Sequence, residues 1–358
     1  MNTVFKKSDF QLCKVPVPEG YKQSQTHAGI AIHDGDFYLT TSPYPNCKQP
    51  QWILYGKAAL NKLRLGKLTN TRPAEQFENP CLYIGYDKLD EGIPYKFKLL
   101  QSTPLMPPPD PYYGLPAFNS DPDIFIEGNE IHILNRVVYR VELHPNQHVS
   151  KYNIRLFHIY GDIDDKRFKY KGTELLHETD QILISPCMTK YDGKYILTQL
   201  ETNAYNDGQT FKGLFIANGL CLSDFKRQNL EWEKVYIENN GLLPWHMSLF
   251  LHKGILFTIM ACIEKGKGHR CWQMLGEFNR DLTKLKIYKT PLTDYKSYRG
   301  TACVNKLGEF VLYNTTVGEK ISGGKSVDGR EVIMAHMPIE KLFDELRRNN
   351  DCYFCDTI

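Results

Sequence analysis

The stretch Met188-Thr189-Lys190-Tyr191-Asp192-Gly193-Lys194-Tyr195-Ile196-Leu197 decides the fold. Two short runs of strand-forming residues flank an Asp-Gly pair, a strong local signal for a two-residue β-hairpin turn. The unit recurs. Ile30-Ala31-Ile32 and Phe37-Tyr38-Leu39-Thr40 flank His33-Asp34-Gly35-Asp36. Asp123-Ile124-Phe125-Ile126 and Ile131-His132-Ile133-Leu134 flank Glu127-Gly128-Asn129-Glu130. Ser248-Leu249-Phe250-Leu251 and Ile255-Leu256-Phe257-Thr258 flank His252-Lys253-Gly254. Thr301-Ala302-Cys303-Val304 and Glu309-Phe310-Val311-Leu312-Tyr313 flank Asn305-Lys306-Leu307-Gly308.

A polar or small entry precedes each of the five hairpins, at His27, Asp121, Ser185, His246 and Arg299. Successive entries are 94, 64, 61 and 53 residues apart, with 59 residues after the last. A strand-only period near 60 residues is what a four-stranded propeller blade requires. The long first interval holds a Pro-rich segment at 103–111, which reads as a rigid extended loop. A β-sandwich with coincidental hairpins is the competing architecture, but it has no reason to repeat one entry chemistry five times. The expected fold is therefore all-β: a single five-bladed β-propeller over 1–358, with an N-terminal arm at 1–20. Residues 338–348 read as a short amphipathic helix on the last blade, with Pro338 in its first turn and apolar residues at 339, 342, 343 and 346.

Composition narrows the function. Lys and Arg number 44 against 41 Asp and Glu, a balance unsuited to coating nucleic acid. No apolar run approaches the roughly 20 residues of a membrane span. The N-terminal segment lacks the apolar core of a signal peptide, so synthesis is expected in the cytoplasm, with a virion as a conceivable destination. Ten cysteines without framework spacing predict free thiols. Cys352-x-x-Cys355 lacks the second ligand pair of a zinc site, and neither metal nor cofactor is expected.

In a propeller the entries converge on one axial funnel. They would bring together His27, Asp121, Asp123, Trp245, His246 and Arg299, with Glu78-Asn79-Pro80 as a sixth marked segment. Carboxylates and Arg grip hydroxyls through charge-assisted bonds, and an aromatic face packs on a sugar ring. The expected partner is a carbohydrate, such as a bacterial surface or plant polysaccharide.

Ser120-Asp121-Pro122-Asp123 before an apolar strand, with a later Ser185-Pro186 before a strand-Asp-Gly-Lys-Tyr hairpin, resembles the five-bladed propellers of the family-43 glycoside hydrolase superfamily. The ordered series His27, Tyr44-Pro45, Glu78-Asn79-Pro80, Ser120-Asp121-Pro122-Asp123, Ile184-Ser185-Pro186 and Trp245-His246 resembles uncharacterised bacterial and bacteriophage propellers more closely. The resemblance covers roughly residues 20 to 320. It implies three acids: a base in the first blade, a tuning Asp in the second and an acid before Ser-Pro in the third. Asp121 keeps the second. The first falls at His27-Ala28-Gly29 and the third at Ile184, neither of which is a carboxylate.

Three readings follow. One is a glycan-binding propeller with a degenerate hydrolase pocket, in which His27, Asn79, Asp123, Trp245, His246 and Arg299 contact sugar. Another is an active glycosidase with relocated carboxylates at Glu78 and Asp121, approached by Asp123 or Glu201. The third is a structural disc that docks other subunits, such as those of a virion. Each residue also has a bland reading: Glu78 and Asp121 as turn carboxylates, His27 and His246 as satisfied core imidazoles.

Overall fold

The computed structural model describes residues 2–43, 78–101, 103–106, 117–143, 149–202, 211–226, 230–238, 241–264, 271–318, 320–323 and 330–348. A short strand, β1 (Gln11–Leu12), comes first. The first blade is β2 (Gly29–His33), β3 (Asp36–Thr41), β4 (Cys81–Lys88) and β5 (Pro94–Leu99). The second is β6 (Ala117–Glu127), β7 (Glu130–Leu143), β8 (Val149–Asp164) and β9 (Arg167–Thr179). The third is β10 (Ile182–Tyr191), β11 (Lys194–Thr202), β12 (Phe211–Gly219) and β13 (Glu233–Glu238). The fourth is β14 (Leu243–His252), β15 (Ile255–Ile263), β16 (Trp272–Phe278) and β17 (Lys284–Pro291). The fifth is β18 (Ser297–Val304), β19 (Glu309–Thr316) and β20 (Val332–Pro338), with β1 as its fourth strand.

Within each blade the strands run antiparallel in sequence order, and β13 pairs in parallel with β17 to join the third and fourth at their outer edges. The innermost strands β2, β6, β10, β14 and β18 pack successively, and β18 returns against β2. The ring is thus closed by the N-terminal segment: Gln11 stands opposite Met334 and Leu12 opposite Ile333. Residues expected to form an arm belong in part to the last blade.

Three expected Asp-Gly or Lys-Gly turns have the left-handed pair of dihedrals that a type I′ hairpin demands. Asp34 and Gly35 have φ of 49° and 80°, Asp192 and Gly193 47° and 77°, and Lys253 and Gly254 47° and 77°. Their twist matches the strands they join.

Five apolar clusters hold the blades together, one per interface. Tyr38 and Ile84 meet Ile131 and Ile159 between the first and second blades. Leu134 and Leu156 meet Leu183 and Leu197 in the next interface. Leu200 and Ile216 then meet Met260 and Met274. Phe257 and Leu275 meet Phe310 and Leu312. Cys303 and Tyr313 meet Phe37 and Tyr83 to complete the circle. Along β15, Leu256 and Met260 face the third blade while Phe257 and Ile259 face the fifth. A strand buried on both faces reads as a continuous apolar run, which is why the inner strands lack polar alternation.

The terminal helix α1 (Ile339–Arg348) buries Ile339, Leu342, Phe343 and Leu346. Phe343 packs on Phe257, so the helix seals the joint between the fourth and fifth blades. The seven described cysteines are unbonded; Cys47, Cys352 and Cys355 lie outside the described residues, as do Tyr44, Pro45 and most of the Pro-rich segment. Among the described residues no helix is long and apolar enough to cross a membrane.

Candidate functional site

Four of the inner strands break register at the same place. The pairing slips between Ser120 and Asp123, Ile184 and Cys187, Pro244 and His246, and Ser297 and Gly300. A bulge inserts a residue and re-aims its side chain. Asp121 and Ser185 have φ of 50° and 45° there, and His27, just before β2, has 53°. Left-handed backbone at a non-glycine residue costs on the order of 1–3 kcal/mol and persists where surrounding structure enforces it. Three of the entries thus carry such strain.

There they form a buried charged cluster. His27 Nε2 is 3.0 Å from Glu78 Oε2, and its Nδ1 is in contact with Asp121 Oδ1. Asp121 Oδ2 lies 2.8 Å from Arg136 Nη2 and accepts the Ser185 backbone N–H at 3.0 Å. His246 Nδ1 is 3.5 Å from Asp121 Oδ1 and 2.6 Å from Ser185 Oγ. Glu78 reaches the cluster because it forms an isolated bridge with Asn119 at the edge of the second blade. Its side chain is 8% exposed, against 0% for Asp121 and 2% for each imidazole, so it is the least buried member of the cluster.

Burial pushes the Asp121 carboxyl upward, but Arg136, His27 and His246 together hold it well below the usual carboxylate range. Burial pulls His27 down while the Glu78 and Asp121 carboxylates lift it, with a net rise. Burial drives His246 well below an ordinary imidazole, and His27, Arg299 and Arg136 oppose the help of Asp121. The Ser185–His246–Asp121 group is not a nucleophilic triad, because hydroxyl and carboxylate both address Nδ1 rather than opposite ring nitrogens.

A second buried charge pair adjoins this cluster. Arg299 is fully buried and donates from Nη1 to the Pro122 carbonyl at 3.0 Å and from Nη2 to the Met247 carbonyl at 3.1 Å. Its Nη2 lies 3.4 Å from Asp123 Oδ1, whose carboxyl burial pushes up to about 6 against the pull of that guanidinium. Arg299 was expected to donate to a sugar; in the fold it ties the fifth blade to the second and fourth. Asp123 faces Arg299 and the Met188 backbone N–H at 3.3 Å, and Glu201 stands opposite Leu183 in the third blade.

Around the cluster, Asn79 donates to Tyr21 OH at 2.8 Å and accepts from Asn119 Nδ2 at 2.9 Å. Trp245 sits edge-on to His246 with centroids 5.8 Å apart. Tyr298 stands edge-on to both imidazoles, at 5.1 Å from His27 and 4.8 Å from His246, and the Arg330 guanidinium covers its face at 3.9 Å. The fold thus gathers Glu78, His27, Asp121 and His246 in one group, flanks it with Asn79 and Trp245, and places Asp123 and Arg299 in the adjoining pair. Arg136, Ser185 and Tyr298 complete the group and were not singled out as site residues. Tyr298 had a legible signal, standing directly before the Arg299 entry.

One ligand atom each from His27, Asp121 and His246 lie within 4.8 Å of one another, so this trio is able to hold a metal ion.

No family model matches the chain, and no curated protein is similar to it in sequence. Solved structures are similar in fold. An N-acetylgalactosamine deacetylase from F. plautii, in complex with blood group B trisaccharide, superposes with a TM-score of 0.59 at 14% identity, covering 94% of this chain and 93% of that one. The xylan β-1,4-xylosidase of Bacillus halodurans C-125 gives 0.58 at 11% identity, covering 89% of this chain and 53% of its own, so the chain spans about half that enzyme. A GH43_1 enzyme from Xanthomonas citri gives 0.51 at 10% identity, with 90% of each chain covered. The chain has a GH43-like fold. At these identities the likeness concerns architecture, and Ile184, buried in the core, offers no proton at the third-blade position.

Proposed function

We propose that the protein binds a glycan over the axial cluster and hydrolyses an acyl substituent from it, leaving the glycosidic bonds intact. The observation that carries this is the placement of His27 between Glu78 and Asp121. A two-carboxylate glycosidase needs its acid and base on opposite sides of the scissile bond, with room for sugar and water between them. Here an imidazole fills that space. Asp121 is held as an anion by Arg136 and the Ser185 N–H, so it neither gives nor takes a proton at neutral pH.

Acyl transfer to water needs less. Water oxygen adds to the acyl carbon, the bond from that carbon to the sugar nitrogen or oxygen breaks, the carboxylic acid departs, and the sugar amine or hydroxyl takes the remaining proton. Glu78, the least buried member of the cluster, takes up the proton from water; His27, held by Asp121, orients the Glu78 carboxylate. Trp245 and Asn79 flank this cluster, and the proposal assigns them the pyranose ring and its hydroxyls. Solved structures of similar fold include a sugar deacetylase, xylosidases and a mannobiose phosphorylase, which supports carbohydrate as the partner. The docking reading has less behind it, because α1 turns its apolar residues inward and presents Asp344–Arg347 and Glu345–Arg348 pairs outward.

The test is to incubate the protein with acetylated and unacetylated oligosaccharides and aryl glycosides, following acetate and reducing ends separately. Acetate release is expected, falling about 10²–10⁴-fold in Glu78→Gln. Release of reducing ends lost in Asp121→Asn would overturn the proposal in favour of a glycosidase. Glycan binding without release of either product would reduce it to recognition alone.

A further inference from the structure

We infer that His27, Asp121 and His246 form a divalent-cation site at the propeller axis, with Glu78 positioning His27 from behind. The inference deepens the proposed acyl hydrolysis by assigning it a cofactor class, and it rests on geometry that stands apart from that reading. Three ligand atoms from three different blades lie within 4.8 Å of one another, and each of the three residues is buried. They meet because the chain holds two of them, His27 and Asp121, in left-handed backbone conformations.

The contacts among them are the second observation. His27 Nδ1, His27 Nε2, Glu78 Oε2 and Asp121 Oδ1 approach at ion-pair distance, yet none is in hydrogen-bond geometry, and His246 Nε2 is buried without a hydrogen-bond partner among the described residues. Buried polar atoms are normally paired. Buried nitrogen and oxygen atoms that converge at ion-pair distance outside hydrogen-bond geometry can turn their lone pairs to a common ion.

The surroundings fit. In metal sites a ligating imidazole presents its other nitrogen to a carboxylate, which fixes the ring and raises its basicity. Glu78 occupies that place at His27 Nε2, leaving Nδ1 turned to Asp121. Ser185 Oγ holds the His246 ring at 2.6 Å. The second oxygen of Asp121 is anchored by Arg136 and the Ser185 N–H, so the carboxylate presents a fixed Oδ1. Two imidazoles and one carboxylate select a borderline ion such as Zn²⁺, Co²⁺ or Mn²⁺ over Ca²⁺ or Mg²⁺, which prefer all-oxygen sites. Such an ion polarises an acyl oxygen and lowers the pKa of bound water.

The experiment reads metal, not turnover. Full-length protein is stripped with chelator, dialysed, and titrated with Zn²⁺, Co²⁺, Mn²⁺ and Ca²⁺, with stoichiometry by elemental analysis, Co²⁺ absorption and thermal midpoint. One Zn²⁺ or Co²⁺ per chain is expected, with a raised midpoint. His246→Gln and Asp121→Asn should bind less than about a tenth of an equivalent, and Glu78→Gln should bind one equivalent about 10–100-fold more weakly. Circular dichroism checks the fold of each variant. If a variant fails to fold, the wild-type Co²⁺ spectrum still decides, since two nitrogen ligands give ligand-field bands distinct from aqueous Co²⁺. A wild-type chain that takes up none of the ions, or a folded His246→Gln that binds as tightly as wild type, overturns the site. Bound metal without acetate release would sink the proposed reaction and leave this inference standing; acetate release from metal-free protein would do the reverse.

Discussion

The guanidinium of Arg136 lies 2.8 Å from Oδ2 of Asp121, on the neighbouring strand of the same blade, and both side chains are almost wholly buried. The register places Arg136 opposite Ser120, so the bulge at Asp121 swings its carboxylate over the Arg. Arg136 also donates to the Leu183 carbonyl, which ties the second blade to the third.

Removing that guanidinium leaves a buried carboxylate without its strongest counter-charge. Arg136→Met is expected to destabilise the fold by about 3–5 kcal/mol in urea unfolding. Replacing both partners together, with Asp121→Asn, should cost less than the sum of the two single changes, since neither charge is then stranded.

Gly300 sits at the bulge of β18, where a Cβ would come within 2.4 Å of Asn314 Oδ1 and 2.5 Å of Gln273 Oε1. Gly300→Ala should therefore push the Arg299 segment off the axis and cost about 1–3 kcal/mol. Thermal unfolding would register the loss, and an unchanged midpoint would contradict the packing.

Acid should weaken the second blade. His132 is stacked between Phe125 at 4.5 Å and His158 at 5.2 Å, and its Nδ1 is 3.0 Å from His158 Nε2. Burial, reinforced by His158, pushes His132 down to about 4, and burial also lowers His158 against the pull of Glu174. The unfolded chain takes up protons near pH 6.5 that the folded one refuses. Stability is thus fully present above pH 6.5 and falls as pH drops towards 4, by about 1.4 kcal/mol per unit for one such proton. Urea midpoints across that window should show the slope, and His132→Phe should flatten it.

Phe5 is stacked on Phe310 at 6.4 Å and meets Phe10 edge-on at 5.9 Å, pinning the N-terminal segment beneath the fifth blade. Phe5→Ala should cost about 3–5 kcal/mol, and limited proteolysis should then begin between residues 2 and 25. Equal protection of both proteins would show that the segment is held by its strand pairing alone.

The five hairpins were legible because each turn is a short polar punctuation between apolar runs, as Asp192-Gly193 illustrates, and such turns have few alternative conformations. The convergence of His27, Glu78, Asp121 and His246 was legible once the repeat was known, since equivalent positions of a propeller share an axis. Arg136 was not. It lies on the second strand of its blade, and an Arg between apolar residues reads as an ordinary interruption until the bulge opposite it is seen. Arg299 was found, but its partners were not, because whether a buried guanidinium faces a ligand or two carbonyls and a carboxylate depends on neighbours 50 to 180 residues away. The closing strand β1 was invisible: two residues carry no period, and their partner lies at the far end of the chain.

That closure sets an order of events. Leu12 is made early, yet its partner Ile333 leaves the ribosome about 320 residues later. At elongation rates of about 5–20 residues per second, the wait is on the order of tens of seconds. Until then the outer edge of β20 does not exist, and Phe5 and Phe10 have nothing to cover. Phe5 and Phe10 pack on residues from Phe250 onward, so the nascent chain carries them exposed through most of the synthesis of the ring. Chaperone demand should accordingly track the N-terminal segment, and a circular permutant that moves residues 2–15 behind residue 348 would shorten that exposure without altering the finished ring.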